Sequence, residues 1–80
     1  MGIKQISKII INIKKERELN DFLIGVLTPK EIEQINQRIK IIKMLKKGIH
    51  QHKIAEKLGV GIATVTRGSR MLKEGRFKNV

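Results

Sequence analysis

The sequence contains no cysteine, no tryptophan and no tyrosine, and these absences exclude several kinds of site. Without thiols the chain has no disulfide, no thiolate-bound metal and no cysteine nucleophile. Its two phenylalanines are too few for the aromatic platforms on which many proteins stack single-stranded bases. Because 80 residues without such staples form only a small core, we expect one domain that gains stability by pairing with a second copy.

Long hydrophobic runs are also missing. Three isoleucines at residues 9–11 form one of the longest unbroken apolar stretches, whereas a bilayer span needs roughly 20 apolar residues. Lys14 and Lys15 follow this stretch, and no small-residue cleavage site of a secretion signal is present. We therefore expect a cytoplasmic protein that has no membrane segment.

Positive charge is concentrated in the second half of the chain. The net charge is +11, with 18 lysines and arginines against 7 acidic residues. Residues 34–80 contain 12 of these basic residues but only two acidic ones, Glu56 and Glu74. Such an asymmetry is typical of proteins that bind a polyanion, nucleic acid above all. On charge alone, a ribosomal or membrane-surface protein is an alternative.

Residues 1–27 predict two amphipathic helices. The first carries isoleucines at spacings of three and four residues, which place them on one helical face: Ile3, Ile6, Ile10 and Ile13. The second, starting near Asn20 or Asp21, carries a shorter apolar face: Leu19, Phe22, Leu23, Val26 and Leu27. A chain this short offers these faces little to pack against, so we expect them to form a dimer interface. The alternative is that the first helix binds a membrane surface or a partner protein.

Residues 28–48 predict a long central helix. Thr28, Pro29 and Glu31 form a capping box with proline at the first helical position. Isoleucines then recur at helical spacing along the segment. Lysines followed by Gly48 predict its end, since cations suit the C-terminal turn and glycine suits the left-handed residue beyond it.

Residues 51–73 match the spacing of a helix-turn-helix. Counting from Gln51, this motif needs a small residue at the fifth position and a glycine at the ninth, where the turn adopts a backbone that most residues avoid. Ala55 and Gly59 occupy these positions. Apolar residues belong at the fourth, eighth, tenth and fifteenth positions, and all four are present: Ile54, Leu58, Val60 and Val65. An ordinary pair of packed helices that binds nothing is the alternative.

The second helix of this motif has the composition of a DNA recognition helix. Small residues occupy its N-terminal end, which allows a close approach to base edges in the major groove. Basic residues follow further along, where they can contact phosphates. The predicted DNA-binding residues are Gln51, His52, Lys53, Gly61, Ile62, Ala63, Thr64, Thr66, Arg67, Arg70 and Lys73.

The sequence predicts neither a catalytic site nor a metal site. His50 and His52 are two residues apart, which places them on different faces of a helix, and no further metal ligands accompany them. Glu31 and Glu33 are explained by the start of a helix, where negative charge is favourable. We therefore predict that the chain is not an enzyme and binds no metal.

Three stretches of the chain resemble the tryptophan repressor family: residues 27–29, residues 37–39 and the run from Gly59 to Ser69. The likeness extends over residues 27–73 and implies an all-α helical bundle with a helix-turn-helix, arranged as an intertwined homodimer on a palindromic operator of double-stranded DNA. From the residues themselves we expect a single domain with four parts: N-terminal dimerisation helices (1–27), a central helix (28–48), the helix-turn-helix (51–73) and a basic tail (74–80). We expect that tail to be frayed.

The same resemblance implies a small-molecule corepressor, L-tryptophan, held between the central helix and the recognition helix. The residues that match the family's ligand positions are Thr28, Arg38, Arg67, Gly68 and Met71. Arginines suit a carboxylate and can lie against an aromatic ring, whereas Met71 stands where the family has a serine. Another ligand, or DNA binding without any ligand, is the alternative.

Overall fold

The structure, a computed structural model, describes residues 2–80, and these residues form five α-helices without a strand. The prediction of an all-α fold is therefore confirmed. The helices are α1 (Ile3–Asn12), α2 (Glu16–Val26), α3 (Pro29–Lys46), α4 (Gln51–Leu58) and α5 (Ile62–Lys73). By their contacts the residues divide into one unit that extends to Ile32 and a second unit, Glu33–Val80.

The first unit contains α1, α2 and the first turn of α3. The charged stretch after α1 does not continue that helix, because Lys15 is extended (φ −119°, ψ 138°). α2 then begins at Glu16, four residues before the predicted start at Asn20. Glu16 and Glu18 lie in its first turn, where carboxylates interact favourably with the helix dipole.

The apolar face of α1 is open to solvent in the single chain, whereas that of α2 is half-buried at Leu19, Phe22 and Leu23. No residue of α1 or α2 is buried. Ile6 and Ile10, at the centre of the predicted stripe of α1, are 48% and 36% exposed. The isoleucine spacing therefore builds an amphipathic helix, as predicted, and its apolar side chains are available to a further surface.

α3 begins with the capping box predicted from the sequence. The backbone N–H of Thr28 donates to Glu31 Oε1 (2.9 Å), and the N–H of Glu31 donates to Thr28 Oγ1 (3.1 Å). The two bonds satisfy N–H groups that have no partner inside the helix. At the other end α3 stops at Lys46, and Gly48 takes the left-handed conformation expected of it (φ +82°).

The second unit is built on a small aliphatic core. Ile41 of α3, Ile54 of α4 and Val65 of α5 pack together and are at most 1% exposed. Ile42 of α3 is also buried. Gln37 of α3 adds a hydrogen bond from its Nε2 to the carbonyl oxygen of residue 58, at the end of α4 (3.1 Å). Three helices are thus fixed to one another by a few side chains.

The turn between α4 and α5 depends on Gly59. Its φ of +66° lies in the left-handed region, which costs about 1–2 kcal/mol for a residue with a side chain. The turn is closed by the N–H of Val60, which donates to the carbonyl of Ala55 (3.1 Å). This arrangement is a Schellman cap, and it leaves only three residues between the end of α4 and the start of α5.

Gly68 allows α5 to lie close to α3. A Cβ at this position would lie 3.3 Å from Cγ2 of Ile41 and 3.3 Å from Cδ1 of Ile42, closer than apolar carbons normally pack. Since both isoleucines are buried, the missing side chain sets the separation between the two helices.

The segment after α5 is ordered, which differs from the frayed tail expected from the sequence. Gly75 is left-handed (φ +88°), and the N–H of Arg76 donates to the carbonyl of Met71 (3.2 Å), which makes a second Schellman cap. Beyond it, Lys46 Nζ donates to the carbonyl of Phe77 (2.6 Å). The chain therefore turns back and lies against α3, and this non-local contact is what holds it.

Gly59→Ala should lower the free energy of unfolding by about 1–2 kcal/mol, because alanine must adopt a left-handed backbone. Gly25→Ala is the matched control: it lies inside α2 with open space around the added Cβ, and alanine should stabilise the helix by about 0.5 kcal/mol. Urea unfolding of both variants at one protein concentration measures the difference. Equal effects of the two changes would contradict the assigned role of Gly59.

Candidate nucleic-acid interface

α5 lies between two depressions on the surface of the second unit. Residues 62, 66, 69 and 73 line one of them, and residues 63, 64, 67, 68 and 71 line the other. With 3.6 residues per turn, these two sets fall on opposite sides of the helix. We call the first the polar groove and the second the apolar cavity.

The polar groove has a volume of about 530 Å³ and is open to solvent. It forms where the start of α4 meets α5, and Thr66 Oγ1 donates there to Gln51 Oε1 (3.0 Å). This bond orients the amide of Gln51 and leaves its NH₂ group free to donate elsewhere. Five predicted DNA-binding residues line the groove: Gln51, His52, Ile62, Thr66 and Lys73.

The start of α4 is capped by a histidine. Nδ1 of His50 accepts the backbone N–H of His52 (3.3 Å), and the two imidazole rings stack with their centroids 5.5 Å apart. His50 is therefore the N-cap residue of α4. The ring of His52 is exposed beside the polar groove.

The surface formed by the predicted DNA-binding residues is exposed but extends to both sides of α5, since Ala63, Thr64 and Arg67 line the apolar cavity. Ten of the eleven are exposed, and Gln51 is half-buried. Small groups come first along α5, at Ala63 and Thr64, and cations follow at Arg70 and Lys73. The surface therefore offers hydroxyls, methyls and an amide at one end of the helix and positive charge at the other.

The apolar cavity has a volume of about 460 Å³ and lies between α3, α5 and the segment after α5. It brings together four of the five residues predicted to bind a ligand: Arg38, Arg67, Gly68 and Met71. Thr28 belongs to the first unit, where its hydroxyl caps α3, and its part in a ligand site stays a prediction.

The chemistry of this cavity suits a small anion with an apolar body. Its walls are mainly aliphatic, and two guanidinium groups, Arg38 and Arg67, supply the charge. No carboxylate is found among the described residues that line it. Its volume falls in the range of roughly 300–1,000 Å³ typical of small-molecule sites.

Two residues that line this cavity, Phe77 and Val80, were not predicted from the sequence. Both lie in the segment that was expected to fray. The pattern that could have identified them is Gly75 directly after a helix, because a left-handed glycine there reverses the chain, followed closely by an aromatic residue. Ile35 and Ile39 of α3 complete the wall on the other side.

Other kinds of site find no support in the described part of the chain. Among residues 2–80, no three histidine or acidic side chains are grouped so that they could hold a metal ion. Of the five helices described, none combines the length and hydrophobicity needed to cross a bilayer.

Comparison with known proteins gives consistent matches. The family described as Trp repressor protein matches residues 1–79. A Trp operon repressor homolog of Vibrio vulnificus is 47% identical over 60 residues, 72% of this chain and 59% of the relative. A homolog of Vibrio campbellii is 39% identical over 71 residues, which cover 88% of this chain and 71% of the relative. A homolog of Actinobacillus succinogenes is 40% identical over 60 residues, which cover 74% of this chain and 59% of the relative.

The chain spans 59% of the length of the Vibrio vulnificus relative. No solved structure matches the chain. The matched family and relatives are named as repressors, which agrees with the prediction that the chain is not an enzyme. Since the match extends over nearly every residue, including both helices around Gly59, the chain belongs to the Trp repressor protein family.

Proposed function

We propose that the chain is a sequence-specific regulator of transcription, a repressor, which binds double-stranded DNA as a homodimer on a palindromic operator. The observation that carries this proposal is the position of α5. Val65 anchors the helix in the core through a fully buried side chain, while the small and basic residues of α5 are exposed. A helix held in this way can enter the major groove as a rigid element.

The order of residues along α5 supports a defined orientation on DNA. Ile62, Ala63 and Thr66, near its N-terminal end, are the residues proposed to face bases. Methyl groups can contact thymine there, and Gln51, oriented by Thr66, can donate to base edges. Arg70 and Lys73, at the other end, are proposed to contact phosphates.

The exposed isoleucines of α1 support the homodimer. Burying such side chains against a second copy contributes roughly 1.5–3 kcal/mol each, and the single chain leaves Ile3, Ile6 and Ile10 exposed. In a symmetric dimer the two copies of α5 would lie about 34 Å apart, one turn of B-DNA. Because the proposed partner is DNA, the proposed place of action is the cytoplasm.

The apolar cavity supports a corepressor, and we propose L-tryptophan as the first candidate. Arg38 and Arg67 would hold its carboxylate, and the aliphatic walls would cover its ring. Ala63, Thr64 and Arg67 belong both to this cavity and to the predicted DNA-binding surface. A ligand held there would thus fix α5 relative to α3, and so favour one orientation of the recognition helix. A different small anion, or DNA binding without a ligand, are outcomes that the experiments below separate.

Thr66→Ala should change which bases are preferred, because it removes a side chain proposed to contact bases in the major groove. The loss should lower the discrimination between bases at the contacted position by about 1–3 kcal/mol. Lys73→Ala should weaken all sequences alike and reduce the slope of log affinity against log salt by about 0.9. Selection from a random DNA pool, with salt titrations of the selected site, measures both effects. Lys57→Ala, an equal loss of charge on α4 outside the predicted interface, is the control. Identical preferences for wild type and Thr66→Ala would remove Thr66 from base recognition.

Arg38→Ala should weaken tryptophan binding at least about tenfold, since a charge-assisted hydrogen bond contributes roughly 1.5–3 kcal/mol. DNA binding without ligand should be unchanged. Lys40→Ala is the matched control, because Lys40 is an exposed cation of the same helix that does not line the cavity. Calorimetry against a panel of amino acids makes the measurement. If the wild type gives no heat with tryptophan, the corepressor assignment is wrong.

Replacing both Ile6 and Ile10 by alanine should raise the dissociation constant of the dimer more than about tenfold, because each truncation removes apolar surface from the interface. Replacing Lys4 and Lys8 by alanine is the control on the same helix. Sedimentation over a range of protein concentrations follows the association. An unchanged dissociation constant for the isoleucine variant would argue against α1 as part of the interface.

A further inference from the structure

We propose that Phe77 is a specificity-determining residue of the apolar cavity: its ring forms an aromatic wall that sets the size and shape of the ligand's apolar body. Lys46 holds this wall in place. The inference rests on the proposed ligand site. It concerns the segment after α5, in which the proposed function gives no residue a role.

The backbone after α5 is built to bring Phe77 to the cavity. The Schellman cap at Gly75 reverses the chain, with hydrogen bonds from Gly75 to Leu72 (3.1 Å) and from Arg76 to Met71 (3.2 Å). Phe77 then adopts a positive φ of 64°, the one non-glycine residue to do so among residues 2–80. That conformation is costly for a bulky side chain, and it is maintained by contacts elsewhere.

The main contact is a hydrogen bond from Lys46. Its Nζ donates to the carbonyl oxygen of Phe77 at 2.6 Å, a short distance typical of charged donors. Lys46 is the last residue of α3, the helix that supplies the opposite wall of the cavity. The bond therefore joins the two sides of the site across 31 residues of sequence.

Phe77 forms a wall and does not fill the site. The cavity keeps a volume of about 460 Å³ with Phe77 and Val80 in place. Phe77 as a whole residue is 36% exposed and lines the cavity, so part of it is accessible to a ligand. Removing the ring should widen the site on the side formed by the segment after α5.

The chemistry around Phe77 favours a flat aromatic body over an aliphatic one. Phenylalanine pairs with aromatic rings in edge-to-face or offset arrangements, and this adds about 0.5–1.5 kcal/mol beyond the area buried. Met71 lies in the same cavity and contributes a polarisable sulfur, which also packs well against rings. With Arg38 and Arg67 for the charge, the ligand class is an aromatic carboxylate whose ring size is limited by Phe77.

Fluorescence titration tests this proposal directly. The protein contains no tryptophan or tyrosine, so the indole emission of the ligand is observed without protein background. The probes are L-tryptophan and 5-benzyloxytryptophan, which carries a bulky extension on the ring. Phe77→Ala should bind tryptophan up to about tenfold more weakly than wild type, and its preference between the two probes should shift toward the larger one.

A second pair of variants tests the support without changing the wall itself. Lys46→Met keeps the aliphatic stem but loses the bond to Phe77, and it should weaken tryptophan binding about threefold. Lys47→Met removes the same charge from the next residue and should leave the affinity unchanged. Circular dichroism and ligand-free DNA binding check that each variant is folded. If Phe77→Ala is unfolded, the preference of Lys46→Met between the two probes decides: it should shift toward the larger probe relative to Lys47→Met, and an equal preference of the two variants would refute the inference.

The outcomes separate this inference from the function on which it rests. If the wild type binds tryptophan and Phe77→Ala keeps the same preference between the probes, Phe77 has no part in specificity and the ligand site stands. Equal affinities for the Lys46 and Lys47 variants would refute the supporting role of Lys46. If the wild type binds neither probe, the ligand site and this inference both fail, and ligand-free DNA binding judges the repressor proposal by itself.

Discussion

The packing of Val65 and Ile54 against Ile41 is the interaction on which the second unit depends. These three side chains are at most 1% exposed, and each comes from a different helix. Because the core is so small, every other feature is fixed relative to it: the turn at Gly59, the exposed face of α5 and the cavity between α5 and α3. Truncating a core side chain such as Val65 would disturb all three at once, at a cost of a few kcal/mol.

α5 joins the two proposed activities because its opposite sides face different surroundings. One side borders the polar groove, where Thr66 holds Gln51, and the other borders the apolar cavity, where Arg67 and Gly68 lie. A ligand and a DNA site could then act on each other through one rigid helix. No long chain of contacts is needed, since the coupling would require only a difference in the orientation of α5 between two states.

Most of the helices could be predicted from the sequence because local rules determine them. The capping box at Thr28 and the left-handed Gly59 each follow from neighbouring residues, and α4 begins and α5 ends at the bounds predicted for the helix-turn-helix, residues 51 and 73. The predicted start of α2 was wrong because the prediction relied on Asn20 as a capping residue. The N-cap is Lys15, which is extended and makes no capping hydrogen bond with its side chain. The ordered segment at Phe77 could not be predicted, because a contact with Lys46, 31 residues away, holds it.

The division of cavity residues between α5 and the following segment bears on how such proteins diverge. Ala63, Thr64 and Arg67 belong to the predicted DNA surface as well as to the cavity, so changing them for a new ligand would alter DNA binding too. Phe77 and Val80 line the cavity from outside the recognition helix. If the cavity binds a corepressor as proposed, mutations there would change the preferred ligand while the operator stays the same. Evolution of a new effector is therefore expected to start after α5 and to reach the recognition helix last.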